Sequence, residues 1–269
     1  ALMAYHKGAC IIGFTPSFVP FRVLFQFVML LVRVVDWLLY RIQIEGRENL
    51  RDSCRAVLVS NHTLVLDPGV IAHAIRPRRT YFTMLEETAL IPYLGTFVRL
   101  LGGIPIPESA GALRSLGTAA DTALRTLGLI HFFPEGECYQ WSQELAPFHP
   151  GAFLLACRLR LPVIPITTVL RERRWFGRSS FRVGRRTIRL LPLVKVVIGE
   201  PVDPRSAGAL AAGSLRGSAR ELAERVRGTM QRTIDRERGS KSLYRGMLPR
   251  LVRQAAPDAE LSSATQRPA

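Results

Sequence analysis

At 269 residues the chain has room for one large domain or two small ones and can bury a substantial core. Its formal charge of +16 is almost all arginine, with lysine only at Lys7, Lys195 and Lys241, and 48% of its residues are hydrophobic. That balance calls for an anionic partner; zinc-finger spacing and an RNA-binding aromatic pattern are both missing, which sets nucleic acid aside in favour of an acidic membrane surface.

Residues 1–41 are the most apolar part of the chain. The strongly apolar run Val23 to Val32 lies between Arg22 and Arg33 and is shorter than the roughly 20 residues a spanning helix needs. It reads as an interfacial or re-entrant helical membrane anchor, with arginines reaching the headgroups and Trp37 and Tyr40 at the interface. A true span and a buried core helix are the alternatives. No small-residue cleavage site follows the apolar run, so a cleaved signal peptide is not expected.

Residues 42–238 read as one domain. Ile42 and Ile44 alternate with polar residues before Gly46, a strand and turn. "RAVLVSNH" is a buried strand. "DPGVIAHAI" starts a helix, with Asp67 as N-cap and Pro68 at the first helical position. Leu113, Leu116, Ala120, Ala123 and Leu127 form a helical stripe that stops at Gly128. "LIHFF" is a strand and "PEG" a turn. "GAFLLACRLR" is a short helix, "LPVIPITTV" a strand, and "RRTIRLLPLVKVVIGEPVD" one or two more strands. Leu215, Leu222, Val226, Met230 and Ile234 mark an amphipathic helix. Residues 239–269 form a C-terminal segment that becomes polar from Ala255 on and is expected to end in a disordered tail. Strands alternating with helices predict an α/β fold: a single domain with a mixed, largely parallel sheet flanked by helices, behind the N-terminal helical membrane anchor.

Cys10, Cys54, Cys138 and Cys157 stand singly, without CxxC pairs. Neither a disulfide framework nor a metal site is expected, and a reducing, cytoplasmic-side location fits. In "NHTLVLDPG", His62 and Asp67 are polar residues in an apolar run. Five positions on an ideal helix would turn them about 140° apart. A helix that starts at Asp67 instead leaves His62 on the preceding loop, free to fold back. A carboxylate on one imidazole nitrogen then fixes the tautomer, and the other nitrogen can remove a proton from a hydroxyl. Taken alone, the pair reads as a structural one.

Its neighbours change that reading. "NHTLVLD" resembles the His-x-x-x-x-Asp block of the glycerolipid acyltransferases, the family of 1-acylglycerol-3-phosphate O-acyltransferases. "IQIEGRENL", "LLGGIPIP", "FFPEGECYQ", "APFHPGAFLLACRLRLPVIPI" and "VVIGEPVD" are similar to further family segments in the same order, covering roughly Ile42 to Asp203. The resemblance implies that His62 is the general base and Asp67 its orienting partner. It also implies substrate contacts at Asn61 and at Phe133, Pro134, Glu135 and Gly136. The co-substrate would be acyl-CoA or acyl carrier protein, with no bound cofactor. The acceptor would be a lysolipid or other lipid whose hydroxyl attacks the thioester without a covalent acyl-enzyme. No Gly-x-Ser-x-Gly elbow is present, which argues against an α/β-hydrolase. The implied location is monotopic, on the cytoplasmic face of a membrane.

Two departures bear on the acceptor. Pro107 and Glu108 lie where the family's second block ends in arginine, and Glu137 and Cys138 where its third continues with Ser or Thr and then Arg. With those cations missing, a neutral, zwitterionic or amino-containing lysolipid fits better than lysophosphatidate. Arg99, Arg114 and Arg158 are candidate substitutes. Of the other single residues, His131 is expected in the core and His149 is a candidate substrate contact. Cys138 has no base beside it in sequence and is not expected to be a nucleophile. The arginines around Trp175, Phe176 and Phe181 read either as a solvated loop or as a surface for anionic headgroups or an acidic acyl carrier. A non-catalytic lipid-binding relative is the alternative to an enzyme, and an RNA-binding protein is supported by charge alone.

Overall fold

Five buried residues, Ala56–Ser60, form strand β2 at the centre of the computed structural model. The structure describes residues 19–35, 41–51, 53–91, 93, 95, 98–99, 101–106, 113–174, 180–183, 186–205 and 214–249. β2 joins a seven-stranded sheet with β1 (Gln43–Glu45), β3 (Tyr81–Leu85), β4 (Gly103–Ile106), β5 (Leu129–Phe132), β6 (Val163–Arg171) and β9 (Leu193–Ile198). The order is β1-β9-β6-β2-β5-β3-β4. Only the β6–β9 pairing is antiparallel, so β1 and β9 run against the other five strands. The sheet is mixed and mostly parallel, as the strand–helix alternation predicts. Between β6 and β9, β7 (Ser180–Val183) and β8 (Arg186–Arg189) form a separate hairpin. Trp175 and Phe176 of the arginine-rich stretch lie outside the described residues.

Helices cover both faces because β2 sends alternate side chains to opposite sides. Ala56 and Leu58 join Ile164, Ile166 and Ile71 of helix α2 (Asp67–Ala74). Val57 and Val59 face the opposite layer of α4 (Leu113–Thr126), α5 (Gly151–Leu159) and α6 (Leu215–Arg236), where Phe153, Leu222 and Val226 are fully buried. A burial pattern of this kind, unbroken along the strand, is what two covered faces require. A short α3 (Glu86–Leu90) follows β3.

α4 buries Ala120 and Ala123 of its predicted stripe, with Ala119 and Leu124 beside them, and Leu127 is partly buried; the Leu113 and Leu116 side chains lie outside the described residues. Gly128 ends that segment at φ +77, and a Cβ there would stand 2.2 Å from the Cys54 carbonyl oxygen, so glycine is required. Leu222, Val226, Met230 and Ile234 are buried along α6, but Leu215 is exposed. It is the first helical residue, beside an N-cap at Ser214 whose Oγ accepts the Gly217 N–H, before the helix reaches the core.

At the N-terminus, α1 (Val19–Val35) lies against α2 with Met29 buried. Val23, Phe27, Leu30, Leu31 and Val34 recur at helical spacing, yet they are exposed. No described helix is long and apolar enough to cross a membrane. Trp37 and Tyr40 lie outside the described residues. Beyond α6, residues 239–249 fold back along the domain: Ser240 N–H donates to the Leu170 carbonyl at 2.8 Å and Leu248 N–H to that of Cys138 at 2.9 Å. The tail expected from Ala255 lies outside the described residues.

Candidate active site

β2 and β5 are parallel neighbours, with Val59 beside Phe132 in register. Both chains therefore leave the sheet at the same edge, where loops after parallel strands gather ligand sites. The loop after β2 carries His62 and the loop after β5 carries Phe133, whose ring stacks on the imidazole at 4.2 Å and 21°.

His62 Nδ1 meets Asp67 Oδ2 at 3.0 Å. The same oxygen accepts the N–H groups of Thr63 and Leu64, each at 2.7 Å. Asp67 is thus the first residue of α2, with Leu66 at the cap position, and its carboxylate is not the N-cap the sequence predicts. Pro68 directly after it presents no N–H, and the side chain turns back into the loop, where two amides and the imidazole need an acceptor. Asp67 is fully buried, while the His62 side chain keeps 22% of its surface exposed. The orienting group is sealed and the ring is reachable.

The surrounding residues hold this loop in place. Glu135 uses Oε1 to accept the His62 N–H at 3.0 Å and Oε2 to accept the Ala146 N–H at 3.1 Å. Asn61 donates Nδ2 to the Thr168 carbonyl at 2.9 Å, and its Oδ1 accepts the Thr168 N–H at 2.8 Å. Both side chains, expected at the substrate, are buried and spend their polar atoms on backbone. They position the histidine loop. Pro134 is buried, and its carbonyl accepts the His149 N–H at 2.8 Å. Gly136 has φ +75, and a Cβ there would come within 3.0 Å of the His149 ring, so the turn needs glycine. His149 is exposed beside this turn.

Burial works against a charged His62. Hydrogen bonds and electrostatic attraction to Asp67 and Cys138 outweigh it and raise the pKa to about 10. His131 is buried, meets Ser60 Oγ at 2.8 Å through Nε2, and is the core histidine expected. Its burial, and then the charge of His62, push its pKa down to about 3, so it stays neutral. Glu135 rises to about 7 through burial, opposed by the hydrogen bonds from His62 and Ala146.

Cys138 is buried and lies near enough to the His62 ring to help raise its pKa. The sequence hides this, because 76 positions separate the two. The strand pairing of β2 with β5 closes that distance, and the Tyr139 N–H donates to the His62 carbonyl at 2.9 Å. Residues 239–249 lie over the same block: the Arg245 N–H donates to the Gln140 carbonyl at 3.0 Å, and its guanidinium sits 3.6 Å from the Trp141 ring centroid. Of the candidate substitute cations, Arg99 donates Nε to the Gly95 carbonyl at 3.2 Å. Arg158 sits in the last turn of α5, which runs from the His149 edge back to the start of β6, away from His62. The Arg114 side chain, Pro107 and Glu108 lie outside the described residues.

A family model for Acyltransferase matches residues 41–169. The chain is 24% identical over 196 residues to a 1-acyl-sn-glycerol-3-phosphate acyltransferase of Saccharomyces cerevisiae, covering 72% of this chain and 59% of that protein. It is 29% identical over 175 residues to one from Chlamydomonas reinhardtii, covering 61% and 48%. An acyltransferase of Schizosaccharomyces pombe is 33% identical over 132 residues, covering 47% and 46%. The chain thus spans about half the length of the curated relatives it matches. Its fold is shared with the crystal structure of the 1-acyl-sn-glycerophosphate acyltransferase PlsC from Thermotoga maritima, at a TM-score of 0.53 and 22% identity over 80% of this chain and 79% of that one.

Proposed function

We propose that the chain, which matches the Acyltransferase family model over residues 41–169 and is similar to 1-acyl-sn-glycerol-3-phosphate acyltransferases, moves a fatty acyl group from an acyl thioester to the hydroxyl of a lysolipid. His62 is the general base and Asp67 its orienting partner. The observation that carries this reading is the 3.0 Å contact between Nδ1 of a reachable imidazole and the oxygen of a sealed carboxylate. A thioester is already activated, so holding the hydroxyl in line and removing its proton supply most of what the reaction needs. The donor is acyl-CoA or acyl carrier protein. No metal or bound cofactor takes part.

The acceptor is a lysolipid without a bare phosphate monoester. Glu137 and Cys138 occupy the positions where the family resemblance calls for Ser or Thr and Arg, and a carboxylate repels phosphate. A non-catalytic lipid-binding relative is the reading that this same erosion favours. It leaves the His62–Asp67 geometry without a purpose.

The protein works on a membrane surface, monotopically and from the cytoplasmic side. Support comes from the exposed stripe of α1 and from Val65 and Leu66, which are exposed on the loop between His62 and Asp67. α1 lies against α2, and that loop leads into α2. Inserting them in the headgroup layer brings His62 to lipid hydroxyls.

The test is a purified-protein assay with labelled acyl-CoA and acyl carrier protein against lysophosphatidate, lysophosphatidylcholine, lysophosphatidylethanolamine and monoacylglycerol. Transfer to a zwitterionic or neutral acceptor is expected. No transfer to any acceptor from either donor contradicts the enzyme reading, and lysophosphatidate as best acceptor contradicts the acceptor assignment.

A further inference from the structure

A chain of rings runs from the core to the base. Phe82 on β3 lies 4.9 Å from His131 on β5, centroid to centroid. His131 meets Phe133 edge-on at 4.6 Å and 71°, and Phe133 stacks on His62. The strand register sets this order. His131 pairs with Leu58 on one side and Phe82 on the other, and side chains two apart on a strand share a face. Ser60 and Phe133 therefore emerge beside His131, at the edge where both chains turn into the site loops. His131 Nε2 meets Ser60 Oγ at 2.8 Å, two residues before the base.

His131 is fully buried, an environment that disfavours a polar ring where an aliphatic side chain could pack. Its polar contact and its ring contact both lead to His62, the first through Ser60 along the chain and the second through Phe133 across space. Nδ1 has no hydrogen-bond partner among the described residues, so a second proton would bury an unpaired donor and a charge. Burial, with the charge of His62, pushes the pKa down to about 3. The ring is neutral, and it sits beside the base without adding a second cation to an imidazolium.

We propose that His131 is a positioning residue for acyl transfer: anchored on Ser60, its ring backs Phe133 and so fixes the face of His62. The inference rests on the acyltransferase reading and deepens it. Asp67 holds the imidazole at one edge, through Nδ1. A single edge contact leaves the ring free to tilt about it, and the Phe133 face removes that freedom. Phe133 is itself only half-buried. The His131 ring fills the space into which it would otherwise swing. Nε2 of His62 then stays aimed where the acceptor hydroxyl must lie, and small errors in that aim slow a transfer steeply.

The experiment compares two double variants of the full chain. Ser60→Ala with His131→Phe keeps a ring at this place, and Ser60→Ala with His131→Ala removes it. Neither leaves one partner of the Ser60–His131 contact buried alone. Histidine-selective NMR reads the His62 ring protons, which the stacked Phe133 shields and which His62→Ala identifies by their loss. Spectra are taken well below the His62 pKa of about 10, so that its charge is the same throughout. The ring-keeping variant should retain the shielding and most of the turnover. The ring-less variant should lose the shielding, and its kcat should fall about a hundredfold while KM for donor and acceptor stays near wild type. If thermal melting shows that variant unfolded, His131→Leu in the same background takes its place, with a fall of about tenfold expected. Wild-type turnover or unshifted His62 resonances in a folded ring-less protein overturn the proposal, and so does an equal loss in the ring-keeping variant. Each of these results leaves the acyltransferase reading intact. A wild-type protein that transfers no acyl group from either donor overturns the two together.

Discussion

Asp67 gathers three hydrogen bonds on one carboxylate oxygen, from the His62 ring and the amides of Thr63 and Leu64. It both shapes the loop and sets the charge of the base, so a substitution that preserves shape separates the two roles. Asp67→Asn should fold, yet lose about 10³- to 10⁴-fold in turnover, because a neutral amide no longer fixes the tautomer or stabilises an imidazolium. The same variant should change how stability depends on pH. His62 has a folded pKa raised from 6.5 to about 10, so its contribution is fully present below about 6.5 and is lost as pH rises towards 10. Glu135, raised from 4.5 to about 7, acts with the same sign over its own lower window. Urea unfolding from pH 6.5 to 10 should show falling wild-type stability and a flatter profile in Asp67→Asn; parallel profiles would contradict the assignment of the His62 proton to this contact. At this scale the sequence made His62 and Asp67 visible through their spacing and neighbouring blocks. It did not reveal that Asn61 and Glu135 brace the loop, because a side chain aimed at distant backbone leaves no local pattern.

The elements most legible in the sequence were those with strong periodicity. The stripe from Leu222 to Ile234 and the buried run of β2 both lie where their patterns place them. β3 and β4 went unread: each is only four or five residues long, and Tyr81–Leu85 runs straight into α3 without a Gly or Pro between them. α1 is the element whose pattern and environment disagree. Its apolar stripe is exposed, which a helix in water has no reason to maintain. Phe27→Asp together with Leu31→Asp should weaken binding to anionic vesicles by roughly a hundredfold or more, given about 1.5–3 kcal/mol for each buried apolar side chain. Thermal melting should barely change, since neither residue is part of the core. Vesicle flotation measures the first, and unchanged flotation would contradict a membrane role for α1.

On the scale of the molecule, one mostly parallel sheet between two helical layers brings distant loops to a single edge. The loops of His62 and Glu135 meet because β2 and β5 are neighbours, and residues 239–249 return to the same block from beyond α6. The α/β class follows from alternating strands and helices, but strand order does not, because nothing local in the chain says which strands will be adjacent. The site is divided in the same way: its base and orienter are five residues apart, while its bracing carboxylate, Glu135, comes from the neighbouring strand's loop.

The central claim is that His62 performs acyl transfer, and the most direct measurement is steady-state turnover of His62→Ala with the preferred thioester and lysolipid. The variant is expected to keep its thermal melting and vesicle binding while turnover falls by about 10⁴-fold or more. A folded, membrane-bound His62→Ala protein that turns over at the wild-type rate would contradict it.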